Sequence, residues 1–205
     1  MNIRPLTLKL ICSLALCTYF SSFAQTQSKK DSFSSVISKA TGDLNKDQLP
    51  DFAIVTQDTL ADTAPYRLQI FFGTPGGGRR LVVNTTKAIT PQHVNGKDGY
   101  RDGNSFSEVT IAKNVLTLSR ELLRGGNDYK FRYQNGSFEL IGFSESVSDG
   151  QGHIFSTDFN LSTNTIVHEK ENYETSTMME KTTKTLRIRP LPKLQDFDPD
   201  KLSLY

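Results

Sequence analysis

Short apolar segments recur along the chain beyond residue 50, and in residues 66–73 and 131–140 apolar and polar residues alternate with the period of two that is typical of half-buried β-strands. The apolar runs are short, and clusters of Gly, Pro, Asn and Ser separate them, as turns do in antiparallel sheets. Strands are therefore predicted over residues 52–55, 66–73, 81–83, 109–111, 115–118, 157–161, 165–168 and 182–189.

The clearest local element is a hairpin over residues 131–140. Its centre is Asn135-Gly136, a pair that readily takes the positive φ angles of a two-residue hairpin turn. Aromatic and polar residues alternate on both sides of this pair, so the two flanking strands are predicted to pair with each other.

One segment before these strands has a different period. Phe33, Val36, Ile37 and Ala40 follow the spacing of one stripe of an amphipathic helix. A short helix is therefore predicted, and Thr41-Gly42 would end it.

These elements together predict a mainly β fold of the α+β class. We expect one hairpin-rich, antiparallel β-meander domain over residues 32–190, with the one short N-terminal helix. Residues 25–31 are predicted to be a flexible tail, and residues 191–205 a C-terminal tail.

Residues 1–24 have the three parts of a secretory signal peptide. The basic residues Arg4 and Lys9 precede an apolar run from Leu10 to Leu16. After it, Ser22-Phe23-Ala24 places small residues where a signal peptidase cleaves. We expect export, with cleavage near Ala24 and a mature chain in the periplasm or outside the cell. The alternative is a lipoprotein anchored through Cys17, because the residues before it loosely resemble a lipoprotein cleavage site.

Removal of this segment changes what the composition allows. Cys12 and Cys17 both lie inside it, so the mature chain would hold no cysteine for a disulfide, a thiolate nucleophile or a zinc site. The full chain has a formal net charge of +2, and the mature chain would have equal numbers of acidic and basic residues. We therefore expect no nucleic-acid partner. We also expect no transmembrane segment in the mature chain, because it has no apolar run of about 18 residues.

Alternating oxygen-bearing side chains occupy positions 1, 3, 5 and 9 of the loop that precedes the first predicted strand: Asp43, Asn45, Asp47 and Asp51. Calcium takes six to eight oxygen ligands, so this pattern suits it, with the main-chain carbonyl of Leu49 at position 7. Position 12 is Ile54 and not the bidentate Glu of an EF-hand. The alternative is that these side chains only accept hydrogen bonds from the loop backbone.

This stretch resembles the calcium-loop repeat of FG-GAP and VCBS-type proteins, which include integrin-like propeller blades; it reads Gly42-Asp43-Leu44-Asn45-Lys46-Asp47-Gln48-Leu49-Pro50-Asp51-Phe52-Ala53-Ile54-Val55. The pairing of this loop with the later hairpin over residues 131–143 resembles exported bacterial proteins of unknown function that carry a single loop of this kind. The resemblance implies a structural calcium ion held by Asp43, Asn45, Asp47, Leu49 and Asp51. Gln48 stands where the repeat has Gly, and one copy cannot form a propeller of several blades.

A long polar loop over residues 90–106 is a second candidate binding region, because loops on a rigid β scaffold often carry function. Its chemistry-bearing side chains are His93, Lys97, Asp98, Tyr100, Arg101 and Asp102.

Two functional classes follow. The first is an exported β-rich binding or interaction module, stabilised by the calcium loop, with an envelope or extracellular protein or glycan as its partner and no catalytic activity predicted. The second is a small cell-envelope hydrolase that uses a pair of carboxylates from Asp98, Asp102 and Glu108 for acid–base chemistry.

Overall fold

The computed structural model describes residues 32–100, 103 and 105–201. Within these residues the chain forms eleven strands and no helix. The strands are β1 (Ser35–Gly42), β2 (Asp51–Gln57), β3 (Tyr66–Gly73), β4 (Arg79–Thr85), β5 (Ser105–Ala112), β6 (Val115–Leu122), β7 (Gly125–Gln134), β8 (Ser137–Ser148), β9 (His153–Asn160), β10 (Thr165–Asn172) and β11 (Met178–Thr185).

The strands form two antiparallel sheets, each a meander in chain order. One sheet contains β1 to β4 and the other contains β5 to β11. The prediction of a mainly β, antiparallel fold is therefore confirmed. The described part of the chain has no helix that is long and apolar enough to cross a membrane.

The prediction of a short N-terminal helix is wrong, because most of the predicted segment belongs to strand β1. β1 pairs antiparallel with β2 from Ser35 opposite Gln57 to Gly42 opposite Asp51. A β-bulge after Val36 places Val36 and Ile37 on a surface where they are 49% and 41% exposed. The spacing of the four apolar residues is helical, but a pattern in so short a segment is weak, and backbone pairing with β2 makes the segment a strand.

The predicted hairpin joins β7 to β8. Asn135 and Gly136 have φ angles of 52° and 78°, as a two-residue turn between twisted strands requires. The inward residues of this hairpin, including Phe131 and Leu140, are fully buried. They belong to one apolar cluster that also contains inward residues of the four-stranded sheet, such as Leu68 and Ile70.

The segment after β11 belongs to this core as well. β9 pairs only with residues 142–148 of β8, and the first part of β8 has a different neighbour on that side. There the Leu140 N–H donates to the Pro192 carbonyl and the Leu194 N–H donates to the Phe138 carbonyl, both at 2.9 Å. Leu194 and Phe197 are buried, so residues that the sequence assigns to a tail complete the core.

Candidate functional site

A pocket of about 220 Å³ opens where residues 88–100 and the end of the C-terminal segment meet β5, β6 and β7. Its walls are largely apolar and aromatic: Ile89, Pro91, Val94, Phe106, Leu118 and Tyr129. A concave apolar site with a few polar groups is the usual form of a small-molecule site. This cavity, named the loop pocket below, is therefore a candidate binding site.

The loop that forms one wall of the pocket is fixed to the connection between β2 and β3. The buried Gln57 amide donates to the Gln92 side-chain oxygen at 2.7 Å and to the Ala64 carbonyl at 3.1 Å. The His93 N–H also donates to the Thr63 carbonyl at 3.0 Å. These bonds hold the wall in place before any ligand binds, which lowers the entropic cost of binding.

The polar groups of the loop pocket come from three separate parts of the chain. Arg120 Nη1 on β6 lies 3.7 Å from a carboxylate oxygen of Asp200. The Thr90 hydroxyl donates to both Asp200 oxygens at 3.1 Å. His93 also lines the pocket, but its Nδ1 is buried away from the cavity surface and has no hydrogen-bond partner within the described residues.

The predicted loop residues divide into two groups. His93 and Tyr100 line the pocket, whereas Lys97 and Asp98 do not. The Lys97 ammonium donates instead to the Thr59 carbonyl at 3.1 Å. Arg101 and Asp102 lie outside the described residues.

Of the three carboxylates that the hydrolase hypothesis names, the two that the structure describes do not line the pocket. Asp98 and Glu108 are both exposed, and neither lines the cavity. Asp102 lies outside the described residues. A second groove of about 720 Å³ crosses the polar face of the larger sheet, but it is shallow and open, as a solvated sheet face is.

The predicted calcium loop is curled by its own side chains. The Asp43 carboxylate accepts the Lys46 N–H at 2.6 Å and the Gln48 N–H at 3.0 Å. Asp47 accepts the Leu49 N–H at 2.8 Å and the Asn45 amide at 2.8 Å. Gln48 takes the place of the glycine of the repeat by adopting a φ of 66°.

Asp51 is the buried anchor of this loop. Its side chain is fully buried, and it accepts the Leu44 N–H at 2.7 Å and the Gly73 N–H at 2.9 Å. A Cβ at residue 73 would lie 2.6 Å from the Pro50 carbonyl oxygen, so only glycine allows β3 to approach the loop this closely. The carboxylate thus joins the loop to the end of β3.

The oxygen atoms of this loop are of the kind that binds calcium, but its carboxylates are not grouped as a metal site requires. Its oxygen donors are the hard ligands that calcium prefers, and each carboxylate oxygen keeps a second lone pair for a cation. Within the described residues, however, no three His, Cys, Asp or Glu side chains form a group that could hold a metal ion. In this structure these side chains therefore accept hydrogen bonds from the N–H groups of the loop backbone.

The pocket is also lined by Arg120, Tyr129 and Asp200, which no sequence motif had singled out. They lie on β6, on β7 and after the last strand, and no local motif connects them. In the sequence, it was the long polar loop over residues 90–106 that indicated this region, and this loop forms the opposite wall of the pocket.

Comparison with known proteins adds no relative: no family model, no curated protein and no solved structure matches this chain. The function of this protein is therefore inferred from its own residues and their geometry.

Proposed function

We propose that this protein is an exported binding module that takes a small amphipathic molecule in the loop pocket, on a β scaffold braced by calcium at residues 43–51. The observation that supports it most is the loop pocket, in which apolar walls surround a few polar groups and the loop is already held by hydrogen bonds. The signal-like residues 1–24 support export, and the FG-GAP/VCBS-like loop supports calcium. The molecule bound in the loop pocket would come from the cell envelope or from outside the cell.

Binding in the loop pocket is tested by indole, a small aromatic probe, in an NMR titration of amide shifts. We expect saturable shifts of residues around Ile89 and Phe106. Val94 is 59% exposed at the pocket, so Val94→Trp will obstruct it without disturbing the core and will weaken indole binding at least about tenfold.

The matched control is Leu81→Trp, which adds the same side chain at a position that is 45% exposed and outside the loop pocket. It should leave indole binding unchanged. Equal indole binding by the two tryptophan variants would refute the loop pocket as the binding site.

Calcium binding is tested by thermal and urea unfolding with and without the metal. Single-loop extracellular sites have Kd values on the order of 10⁻⁴–10⁻³ M, so 10 mM calcium should stabilise the fold by about 1.4–2.7 kcal/mol. Asp47→Asn keeps the acceptor for the Leu49 N–H but removes a charge, and should abolish most of this gain. Asp62→Asn, which changes an acid outside the loop, should keep it. Absence of any shift at 10 mM calcium would exclude the metal.

A further inference from the structure

Arg120 is the one permanently cationic side chain among the described residues that line the loop pocket. It lies two residues after the buried Leu118 on β6, so both side chains point to the same face of the sheet. The guanidinium therefore stands where the apolar wall ends, and its side chain remains 20% exposed. A cation in this place can meet the polar end of a ligand whose body lies against the wall.

A carboxylate from the chain itself already faces this cation. Asp200 lies 3.7 Å from Arg120 Nη1 and accepts the Thr90 hydroxyl with both oxygens. A guanidinium and a hydroxyl donor that face one carboxylate are a common arrangement for carboxylate recognition. The separation of 3.7 Å is too long for a hydrogen bond, and the Asp200 side chain is 51% exposed, so this contact is weak.

We infer that the ligand of the loop pocket is a small carboxylate with a ring-sized apolar body, and that Asp200 holds the place of its carboxylate until it binds. The inference rests on the proposed binding function. A cavity of about 220 Å³ exceeds the roughly 150 Å³ of a cavity that holds benzene, so it has room for a benzene ring with a small substituent.

Binding then proceeds by exchange of one carboxylate for another. The ligand's ring packs against Ile89, Phe106 and Leu118, which loses no hydrogen bond. Its carboxylate takes the Thr90 hydroxyl and a bidentate contact with Arg120, while Asp200 turns to solvent. No covalent bond changes. Because the displaced Asp200 contact is weak, a ligand that forms the bidentate pair gains more than the protein loses.

Benzoate and benzamide test this directly, since they share a ring and a shape and differ in charge. In calorimetric or NMR titrations, benzoate should bind the wild-type protein about tenfold or more tightly than benzamide, as expected for a hydrogen bond to a charged group. Arg120→Gln should bring the ratio near one, because it weakens benzoate binding much more than benzamide binding. Arg120→Lys should keep part of the preference, because it keeps the charge but not the bidentate geometry.

Asp200→Asn tests the role of the internal carboxylate. It should raise the affinity for benzoate several-fold relative to that for benzamide, because the carboxylate that competes for Arg120 is removed. The control is Asp196→Asn, an exposed acid of the same segment that does not line the pocket. Unchanged urea midpoints will show that all these variants fold.

The possible failures are distinguishable. If wild-type protein binds indole and benzamide but benzoate no more tightly, or if Arg120→Gln keeps the preference for benzoate, the carboxylate inference is overturned and the pocket function stands. A lower benzoate affinity in Asp200→Asn overturns the role of Asp200. If none of the three probes binds at millimolar concentration, the proposed function fails together with the inference.

Discussion

Replacing Asp51 with alanine will lower the free energy of unfolding by about 3–5 kcal/mol. The reason is that the Leu44 and Gly73 N–H groups, which Asp51 accepts, would lose their acceptor at a fully buried site. Each unpaired buried donor costs about 1–3 kcal/mol, and bonds to a charged acceptor are at the upper end. Urea unfolding followed by circular dichroism, with a chelator present to remove any metal contribution, measures the change.

Two variants of the same loop separate this effect from general damage. Asp51→Asn keeps one acceptor but turns an amide nitrogen toward the other donor, so it should cost about half as much. Asp47→Ala removes an exposed acid of the same loop and should cost about 1 kcal/mol or less. If Asp51→Ala proves no worse than Asp47→Ala, Asp51 is not the anchor of the loop.

Replacing Phe197 with alanine will destabilise the protein by about 3–5 kcal/mol, as expected for a large aromatic side chain deleted from a core. Phe197 is only 3% exposed, and its ring stands edge-on to Tyr129 and Phe131 with centroids 5.0 and 5.1 Å away. Because Tyr129 also lines the loop pocket, the same substitution should weaken indole binding. Urea unfolding and the indole titration measure the two effects.

Leu60→Ala is the control for this second variant, since Leu60 is 84% exposed and its truncation should change stability by less than about 0.5 kcal/mol. A loss in Phe197→Ala no larger than in the control would mean that the Phe197 side chain does not stabilise the core. A loss of the expected size would make the segment that carries Phe197 a structural part of the domain.

Local sequence patterns predicted most of the strands, because strand alternation and turn chemistry act over a few residues. The prediction over residues 66–73 coincides with β3, and Asn135-Gly136 forms the turn that its φ preferences favour. The prediction over residues 182–189 overlaps only the second half of β11, in which every residue except the half-buried Thr182 is exposed. A strand without a buried face has no alternation to recognise.

Tertiary pairing overrode local pattern at the start of the domain. Residues 33–40 have a helical spacing of apolar positions, yet β2 offers an edge that β1 pairs with along its whole length. Gln48 has a positive φ, a backbone conformation that favours glycine. The hydrogen bond from its N–H to the Asp43 carboxylate holds the backbone there.

The strand-rich character of the chain and its hairpin turns can be read from local sequence patterns alone. That Thr90, Arg120 and Asp200 meet in one pocket, and that Phe197 completes the core, follows only from the folded chain. The difference lies in distance along the chain, because periodicity and turn propensity arise from neighbouring residues. A pocket, by contrast, depends on packing between residues that are distant along the chain, and no local pattern specifies that packing.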